Sequence, residues 1–388
     1  MTRQTIVVVG GGHAGIHAVK AIQKRLKKVP FRLVLLDPQP AHVRKVLLFK
    51  AAVGESELTV PWSDILPLGT EFIRGAIHSV NPSMKCLEYR DQYGTSHLLD
   101  YDVLVLAIGS VVRNIDGDGF ALSNIENARQ IHGVIEGNIQ RATTVLESHE
   151  KRRLLTLAVV GGGISGIETA FELNQFMRTM AKTVGVDPEE VQVQLVHSRQ
   201  NLLPDGTEKL RQKLLEKMNR NQIVLRNDKI ALKQEGGMLL LSNGEKIPIG
   251  TSVWTVGLQP NPVVQSLGLP FESDGRLKTD PSYRIIDSEG IYSIGDCANI
   301  VDPSNGKTDG MTCKEAISQA NRLGKIIALD LIGYPAPKHQ SIRKTFCFSL
   351  GTGDALVSAK VFGVEMIIEN KIAWIIRKIT WNLASFVN

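Results

Sequence analysis

The chain has 388 residues, of which 43% are hydrophobic and 22% charged, and its formal net charge is +6. This length exceeds what one hydrophobic core supports, so we expect two or three domains. The four cysteines form no C-x-x-C pair, which argues against a zinc ribbon or a redox dithiol and is typical of a reducing compartment. No apolar run reaches the length of a membrane-spanning helix, and no long basic stripe predicts a specific nucleic-acid partner.

A strand, a glycine turn and a helix are predicted at the N-terminus. The apolar strand at residues 5–9 leads into three glycines of the form G-x-G-x-x-G, which are Gly10, Gly12 and Gly15. A helix is predicted over residues 14–27, and a second strand at 31–36 ends in Asp37. Such a turn holds a dinucleotide diphosphate at a helix N-terminus, and the acid accepts ribose hydroxyls.

Short antiparallel strands are predicted for residues 70–100, followed by a buried strand at 101–108 that ends in Gly109. Residues 114–119 are typical of a linker, and residues 125–147 have helical spacing.

The second half repeats the first. An apolar strand precedes a second G-x-G-x-x-G pattern, formed by Gly161, Gly163 and Gly166. A strand at 191–196 then ends at His197, a hairpin region is predicted over 223–249, and a strand from Ser252 ends in Gly257. Two such patterns indicate two dinucleotides, with electrons passing from one to the other.

A third motif, residues 291–298, contains Gly295 and Asp296. Together these motifs resemble the two-dinucleotide-domain FAD/NAD(P)-dependent oxidoreductases, which have the pyridine nucleotide-disulfide oxidoreductase fold. The resemblance covers about residues 5–330. It implies an α/β chain of the glutathione-reductase type with two Rossmann-like domains. FAD would be bound by 1–115 and 280–335 and NAD(P)H by 116–279, and 336–388 would form a small C-terminal region.

Local segments indicate which groups within this family the chain resembles most. The sequence has no cysteine pair of the kind that lies beside the flavin in disulfide reductases. No single cysteine lies between Cys86 and Cys297 either, which disfavours a sulfide:quinone reductase. Residues 163–170, 193–199 and 348–355 resemble the apoptosis-inducing-factor-like group with its ferroptosis suppressors, and type II NADH:quinone oxidoreductases. The match weakens at residues 40–50, and 302–310 is interpreted as an insertion.

The resemblance also implies roles for single residues. Asp296 would accept a hydrogen bond from the ribityl chain of FAD, and Met311 and Thr312 would begin a helix that points at the flavin. Glu168 would orient the nicotinamide or relay protons, its alternative being a favourable charge at a helix N-terminus. Gln319 is predicted either to face the quinone or to lie on the helix surface.

In the second half, the strand at 191–196 is followed by His197 and Arg199 at the position where a carboxylate would contact the ribose. Arg199 either pairs with a 2′-phosphate or is a solvated cation. We therefore expect NADPH to be tolerated beside NADH.

The tail predicts an amphipathic helix over 372–387. Its apolar arc consists of Ile372, Ile375, Ile376, Ile379, Leu383, Phe386 and Val387, and Arg377, Lys378 and Ser385 lie opposite, with Trp374 and Trp381 among them. The helix is expected either to contact a membrane surface or to pack on protein.

These features together predict an FAD-dependent NAD(P)H:quinone oxidoreductase without a metal, cytoplasmic and peripheral on the inner face of a membrane, with a homodimer left open. Two alternatives remain at this point. One is a soluble reductase of a ferredoxin or rubredoxin carrier, and the other is an apoptosis-inducing-factor-like redox sensor that binds nucleic acid.

Overall fold

Apolar runs rich in valine, leucine and isoleucine form buried strands in two main sheets. The computed structural model describes residues 4–27, 29–342, 344–361 and 364–385. The strands before the linker are β1 (Gln4–Val9), β2 (Phe31–Asp37), β3 (Ala41–Val43), β4 (Thr59–Pro61), β5 (Thr70–Asn81), β6 (Cys86–Asp91), β7 (Ser96–Asp100), β8 (Val103–Leu106) and β9 (Ser110–Val112). The helices of this part are α1 (His13–Arg25), α2 (Leu48–Ala51) and α3 (Trp62–Ile65).

The remaining elements follow the linker. The strands are β10 (Phe120–Ala121), β11 (Thr156–Val160), β12 (Gln192–Val196), β13 (Ile223–Arg226), β14 (Ala231–Glu235), β15 (Met238–Leu241), β16 (Lys246–Pro248), β17 (Thr251–Trp254), β18 (Leu258–Pro260), β19 (Leu277–Lys278), β20 (Ile291–Ser293), β21 (Ala298–Asn299), β22 (Phe346–Ser349), β23 (Ala355–Val361) and β24 (Val364–Glu369). The helices are α4 (Ile125–Ala142), α5 (Ser148–Leu154), α6 (Ile164–Thr183), α7 (Glu208–Arg220), α8 (Cys313–Asp330) and α9 (Asn370–Ser385).

The first sheet has the strand order β20-β8-β1-β2-β5-β6-β7. Its central strands are parallel, and β1 is buried on both faces, as a strand between two helical layers should be. The long strand β5 pairs in parallel with β2 at its start and antiparallel with β6 beyond Gly75. The antiparallel strands predicted for 70–100 therefore extend this sheet.

The second sheet is parallel, with the order β10-β17-β11-β12-β13. The hairpin predicted over 223–249 is partly wrong, because β13 pairs in parallel with β12 and only β14–β16 form antiparallel hairpins. The helix predicted over 125–147 also ends early: α4 stops at Ala142, and α5 begins at Ser148.

Strand pairing is among the contacts that join the halves. Strands β9 and β18 pair antiparallel directly after the two glycine-terminated strands. After the second sheet the chain returns to the first, where β20 pairs in parallel with β8. Helix α8 then packs on α1 so closely that a Cβ on Gly324 would lie 2.7 Å from the backbone of Ala21.

The C-terminal region consists of an antiparallel sheet, β22-β23-β24, and helix α9. Asn370, at a φ of 65°, turns the chain from β24 into α9, and its side chain accepts a hydrogen bond from Lys217. Helix α9 begins two residues before the predicted helix, whose Phe386 and Val387 lie outside the described residues. In the described ranges no helix is both long and apolar enough to cross a membrane.

Candidate functional site

The two glycine turns lie at the carboxyl edges of the two sheets and have the same geometry. A Cβ on Gly15 would lie 1.7 Å from the carbonyl oxygen of Gly10, and a Cβ on Gly166 would lie 1.7 Å from that of Gly161. These positions therefore require glycine for the fold itself. By contrast, a Cβ on Gly12 or Gly163 would meet no atom within 4 Å. This open side of each turn is where the diphosphate of a dinucleotide would approach the helix N-terminus.

The strand ends beside the two turns differ in charge. In the first half the Asp37 carboxylate accepts hydrogen bonds from the backbone N–H of Gly11, at 2.5 Å, and of Gln39, at 2.7 Å. In the second half the imidazole of His197 lies against Gly162 instead, and its Nε2 contacts the carbonyl oxygen of Asn201 at 3.1 Å. Because a carbonyl only accepts, Nε2 carries a proton and donates it to this oxygen. Arg199, two residues on, is exposed.

The third motif also lies at the carboxyl edge of the first sheet. The Ser110 hydroxyl, next to Gly109, donates to the Asp296 carboxylate at 2.6 Å. A Cβ on Gly295 would lie 2.9 Å from the Cβ of Ala14, so this turn touches the start of α1. Burial raises the pKa of Asp296, and the bond from Ser110 opposes the rise. The predicted FAD-binding residues of residues 10–37, Gly109, Gly295 and Asp296 therefore meet at one edge.

Gly257 lies at the second edge, where β18 begins. Its carbonyl oxygen accepts the backbone N–H of Arg113 at 2.8 Å, which is part of the β9–β18 pairing. The glycine-terminated strands of the two halves are thereby held next to each other.

Buried nitrogen atoms near the first turn fit a large polar cofactor. The Nε2 atoms of His13 and His42 and the Nε of Arg44 have no hydrogen-bond partner among the described residues. The His42 ring is fixed, because its Nδ1 donates to the carbonyl oxygen of Gly11 at 2.9 Å. Burial, with the charges of His42 and nearby cations, lowers the pKa of His13 to about 3. These polar atoms, with the open side of Gly12, suit the diphosphate and ribityl parts of FAD.

Glu168, on the first turns of α6, is buried in an ion pair with the C-terminal region. Arg377 of α9 donates from Nε to Oε1 and from Nη2 to Oε2, both at 2.9 Å, and the Ser349 backbone N–H donates to Oε1 at 2.8 Å. Burial raises the pKa of Glu168, whereas Arg377 and Ser349 act in the opposite direction. The prediction that Glu168 faces the nicotinamide stays a prediction. Arg377, expected on the polar side of the helix, faces the protein interior.

A second carboxylate, Glu172, lies one helical turn beyond Glu168. It pairs with Lys50 at 2.6 Å, and both side chains are almost fully buried. Lys50 also lies over the ring of Trp374, 5.4 Å from its centroid. The i, i+4 spacing of the two glutamates was visible in the sequence. Their cations were missed, because they come from α2 and α9, far away along the chain.

Gln319 is buried, so its placement on the helix surface is wrong. Its Nε2 donates to Asp309 at 2.9 Å, and its Oε1 accepts the backbone N–H of Gly295 at 2.8 Å. Both ends of the amide are used within the protein, which favours a positioning role over contact with quinone. Thr312 is exposed and caps α8 together with Glu315, and Met311 before it is half-buried.

Comparisons with known proteins agree with this architecture. The family model of the pyridine nucleotide-disulphide oxidoreductases matches residues 4–320. A type II NADH:quinone oxidoreductase of Staphylococcus aureus is 24% identical over 96% of this chain and 91% of its own. A probable NADH dehydrogenase of Dictyostelium discoideum is 25% identical over 79% of this chain and 71% of its own.

Solved structures show the same fold. NDH2 from Plasmodium falciparum in complex with NADH has a TM-score of 0.83 at 18% identity, covering 97% of this chain and 94% of its own. The sulfide:quinone oxidoreductase from Aquifex aeolicus has a TM-score of 0.77 at 17% identity, covering 98% and 90%. The predicted fold, two Rossmann-like domains in an α/β chain, is thereby confirmed. With a family model that spans most of its length, the chain belongs to the pyridine nucleotide-disulphide oxidoreductase family.

Proposed function

We propose that the chain is an FAD-dependent NAD(P)H:quinone oxidoreductase. The observation that carries the proposal is the pair of dinucleotide-type edges, held side by side by the β9–β18 pairing. Bound FAD would accept a hydride from NAD(P)H and pass two electrons to a quinone. Support for the acceptor comes from the Staphylococcus aureus relative, which matches nearly the whole chain and is named for that reaction.

Each of the two sheet edges is assigned one of the two dinucleotides. We assign FAD to residues 1–115 and 280–335, because β20, Gly295 and Asp296 return to the first sheet. NAD(P)H is assigned to 116–279, which contains the second glycine turn. The chain itself supplies position: the N-termini of α1 and α6, at the open sides of Gly12 and Gly163, would hold the two diphosphates.

The test is a steady-state assay of the purified protein, with its flavin identified by absorbance and mass. NADH and NADPH are each oxidised with ubiquinone, menaquinone and naphthoquinone analogues, with rubredoxin, and with oxygen alone. We expect bleaching of bound flavin by NAD(P)H and turnover with at least one quinone well above that with oxygen. A colourless protein that refuses added FAD would disprove the proposal, and turnover only with rubredoxin would replace the quinone by a protein carrier.

Glu168 is proposed to relay a proton in the quinone half-reaction, because its carboxylate is buried and held in one place by Arg377 and Ser349. Glu168→Gln should lower kcat with quinone about tenfold or more. Reduction of the flavin by NADH, followed by stopped flow, should stay near the wild-type rate. Equal slowing of both half-reactions would assign Glu168 to nucleotide binding instead. Thr179→Ala, at an exposed position three turns further along α6, is the control.

The exposed face of α9 is proposed to rest on a membrane, at its inner face in the cell. Four large apolar residues of the predicted arc are exposed there: Ile372, Ile375, Ile379 and Leu383. Lys371 and Lys378 are also exposed and suit anionic headgroups. Trp381, predicted among the polar residues opposite the apolar arc, is instead buried against Phe49.

Point substitutions test this contact better than truncation, because removing α9 would also leave Glu168 without Arg377. Ile375→Glu with Ile379→Glu should abolish sedimentation with vesicles containing phosphatidylglycerol and leave NADH oxidation with a soluble quinone unchanged. Lys209→Glu, on α7, is the control. If the double variant keeps its lipid binding but changes from dimer to monomer in light scattering, the face joins two copies of the chain instead.

A further inference from the structure

A buried chain of polar side chains runs from the Gly295 turn to the segment after α8. Its members, named here the Gln319 relay, are Gln319, Asp309, His339, Tyr283 and Arg322. Each of the first four is less than one-tenth exposed. Asp309 belongs to residues 302–310, which the sequence indicated as an insertion, and the proposed function above gives none of the last four a role.

The direction of every contact in the relay can be assigned. Burial raises the pKa of Tyr283 to about 12, so its hydroxyl keeps its proton and donates to Nδ1 of His339, 2.8 Å away. Arg322 donates to the Tyr283 oxygen at 3.1 Å. His339 therefore carries its own proton on Nε2. This atom lies 3.1 Å from Oδ2 of Asp309, close enough for electrostatic attraction, although its geometry is not that of a hydrogen bond.

Asp309 accepts at the other end. Burial alone would raise the pKa of Asp309, but the contacts with His339, Gln319 and Ser341 together lower it, so the group is an anion that only accepts. Its Oδ2 receives the Gln319 Nε2–H. The amide of Gln319 can then present only its oxygen to the N–H of Gly295. With the amide reversed, two donors would face each other, and the Gly295 N–H would be buried without an acceptor.

We propose that Asp309 and His339 are positioning residues of the flavin site, because they fix Gln319 in the orientation that holds the Gly295–Asp296 turn. The inference rests on the proposed function, in which this turn binds the ribityl chain of FAD. Residues 302–310 are thereby more than a surface insertion, since Asp309 orients Gln319 and, through it, the Gly295–Asp296 turn.

Gln319→Glu gives a test with a pH signature. The new carboxylate still accepts from Gly295, but it faces the carboxylate of Asp309, and two such groups share a proton only at low pH. Other ionisable groups lie near the pair: His339, Tyr283 and Arg322 of the relay, Arg276, which donates to the Asp309 carbonyl oxygen, Asp302, which accepts the Ser341 N–H, Glu315, which accepts the Gly310 N–H, and Asp296, next to Gly295.

The experiment follows FAD release from the purified full-length holoprotein after dilution, by the rise of flavin fluorescence, between pH 5.5 and 8.5. Gln319→Glu should release FAD about tenfold faster than wild type at pH 8.5 and approach the wild-type rate at pH 5.5. Gln319→Leu should release FAD fast at every pH. The visible circular dichroism of the bound flavin should change in both variants, because the Gly295–Asp296 turn would move relative to the flavin.

Asn321→Asp is the matched control, since it makes the same amide-to-carboxylate change on the exposed side of α8. It should behave like wild type. Equal FAD retention in Gln319→Glu and wild type at all pH values, or the same pH dependence in Asn321→Asp, would overturn the inference. A wild-type protein that binds no FAD would instead overturn the proposed function.

Discussion

His197 shows how one side chain at a strand end bears on the choice of nucleotide. Its place beside Gly162 is the one that Asp37 occupies beside Gly11 in the other half. A carboxylate there accepts the 2′-hydroxyl of a ribose and repels a 2′-phosphate. An imidazole carries no negative charge that would repel a 2′-phosphate, and the exposed Arg199, two residues further on, adds a positive charge.

His197→Asp should therefore lower kcat/KM for NADPH at least about tenfold and change kcat/KM for NADH little. The measurement is steady-state oxidation of both nucleotides with one quinone. Gln212→Glu, which adds a negative charge on the exposed side of α7, should leave the ratio unchanged. An equal loss for both nucleotides would show that His197 only supports the fold.

At the scale of the element, each strand–turn–helix unit separates glycines that the fold requires from glycines that face a ligand. Gly12→Ala and Gly163→Ala introduce methyl groups into open space, so neither should lower the unfolding temperature by more than about 2 °C. Gly12→Ala should weaken FAD retention, and Gly163→Ala should raise KM for NAD(P)H with FAD retained, because the methyl group blocks the approach of a diphosphate.

The control for both variants is Gly15→Ala, whose Cβ would overlap the Gly10 carbonyl and should destabilise the whole unit. If Gly12→Ala raised KM for NAD(P)H and left FAD in place, the assignment of the two edges would be reversed.

Elements were predictable from the sequence where one short pattern determines them. The glycine spacing and apolar runs predicted β1, α1 and β2 within two residues, and they predicted β11 and the start of α6 but not where α6 ends. The pairing of β13 was predicted wrongly because, in a short apolar run followed by turn residues, a hairpin strand and a parallel edge strand look alike. The partners of Glu168 and Gln319 were missed for another reason, since Arg377 and Asp309 are brought to them only by the packing of distant segments.

At the scale of the whole molecule, the end of the chain is packed onto its beginning. His17 of α1 contacts the carbonyl oxygen of Ala384 at 3.2 Å, and Arg44 donates to Asn382 at 2.9 Å. Burial lowers the pKa of His17 to about 4, although the bond to Ala384 opposes the shift. His17 therefore stays neutral in the folded protein at pH values where the unfolded chain, below about pH 6.5, binds a proton at this residue.

This contact predicts a pH dependence of stability. The contribution of neutral His17 is complete above about pH 6.5 and is lost as the pH falls towards 4, at about 1.4 kcal/mol per pH unit. His17→Gln should therefore reduce the loss of unfolding free energy between pH 7 and pH 5 by about 2 kcal/mol in urea titrations. His78→Gln, at an exposed position, is the control. If the unfolding free energy of His17→Gln depended on pH as in wild type, another group would be responsible for the titration.

The return of β20 to the first sheet has a consequence for synthesis on the ribosome. The half that is translated first lacks its edge strand until residues 291–293 emerge, and Glu168 lacks Arg377 until the final helix is made. A nascent chain therefore carries an incomplete flavin half through most of translation. Stop codons or fusions near the carboxyl terminus should harm the amino-terminal half at least as much as the segment they alter.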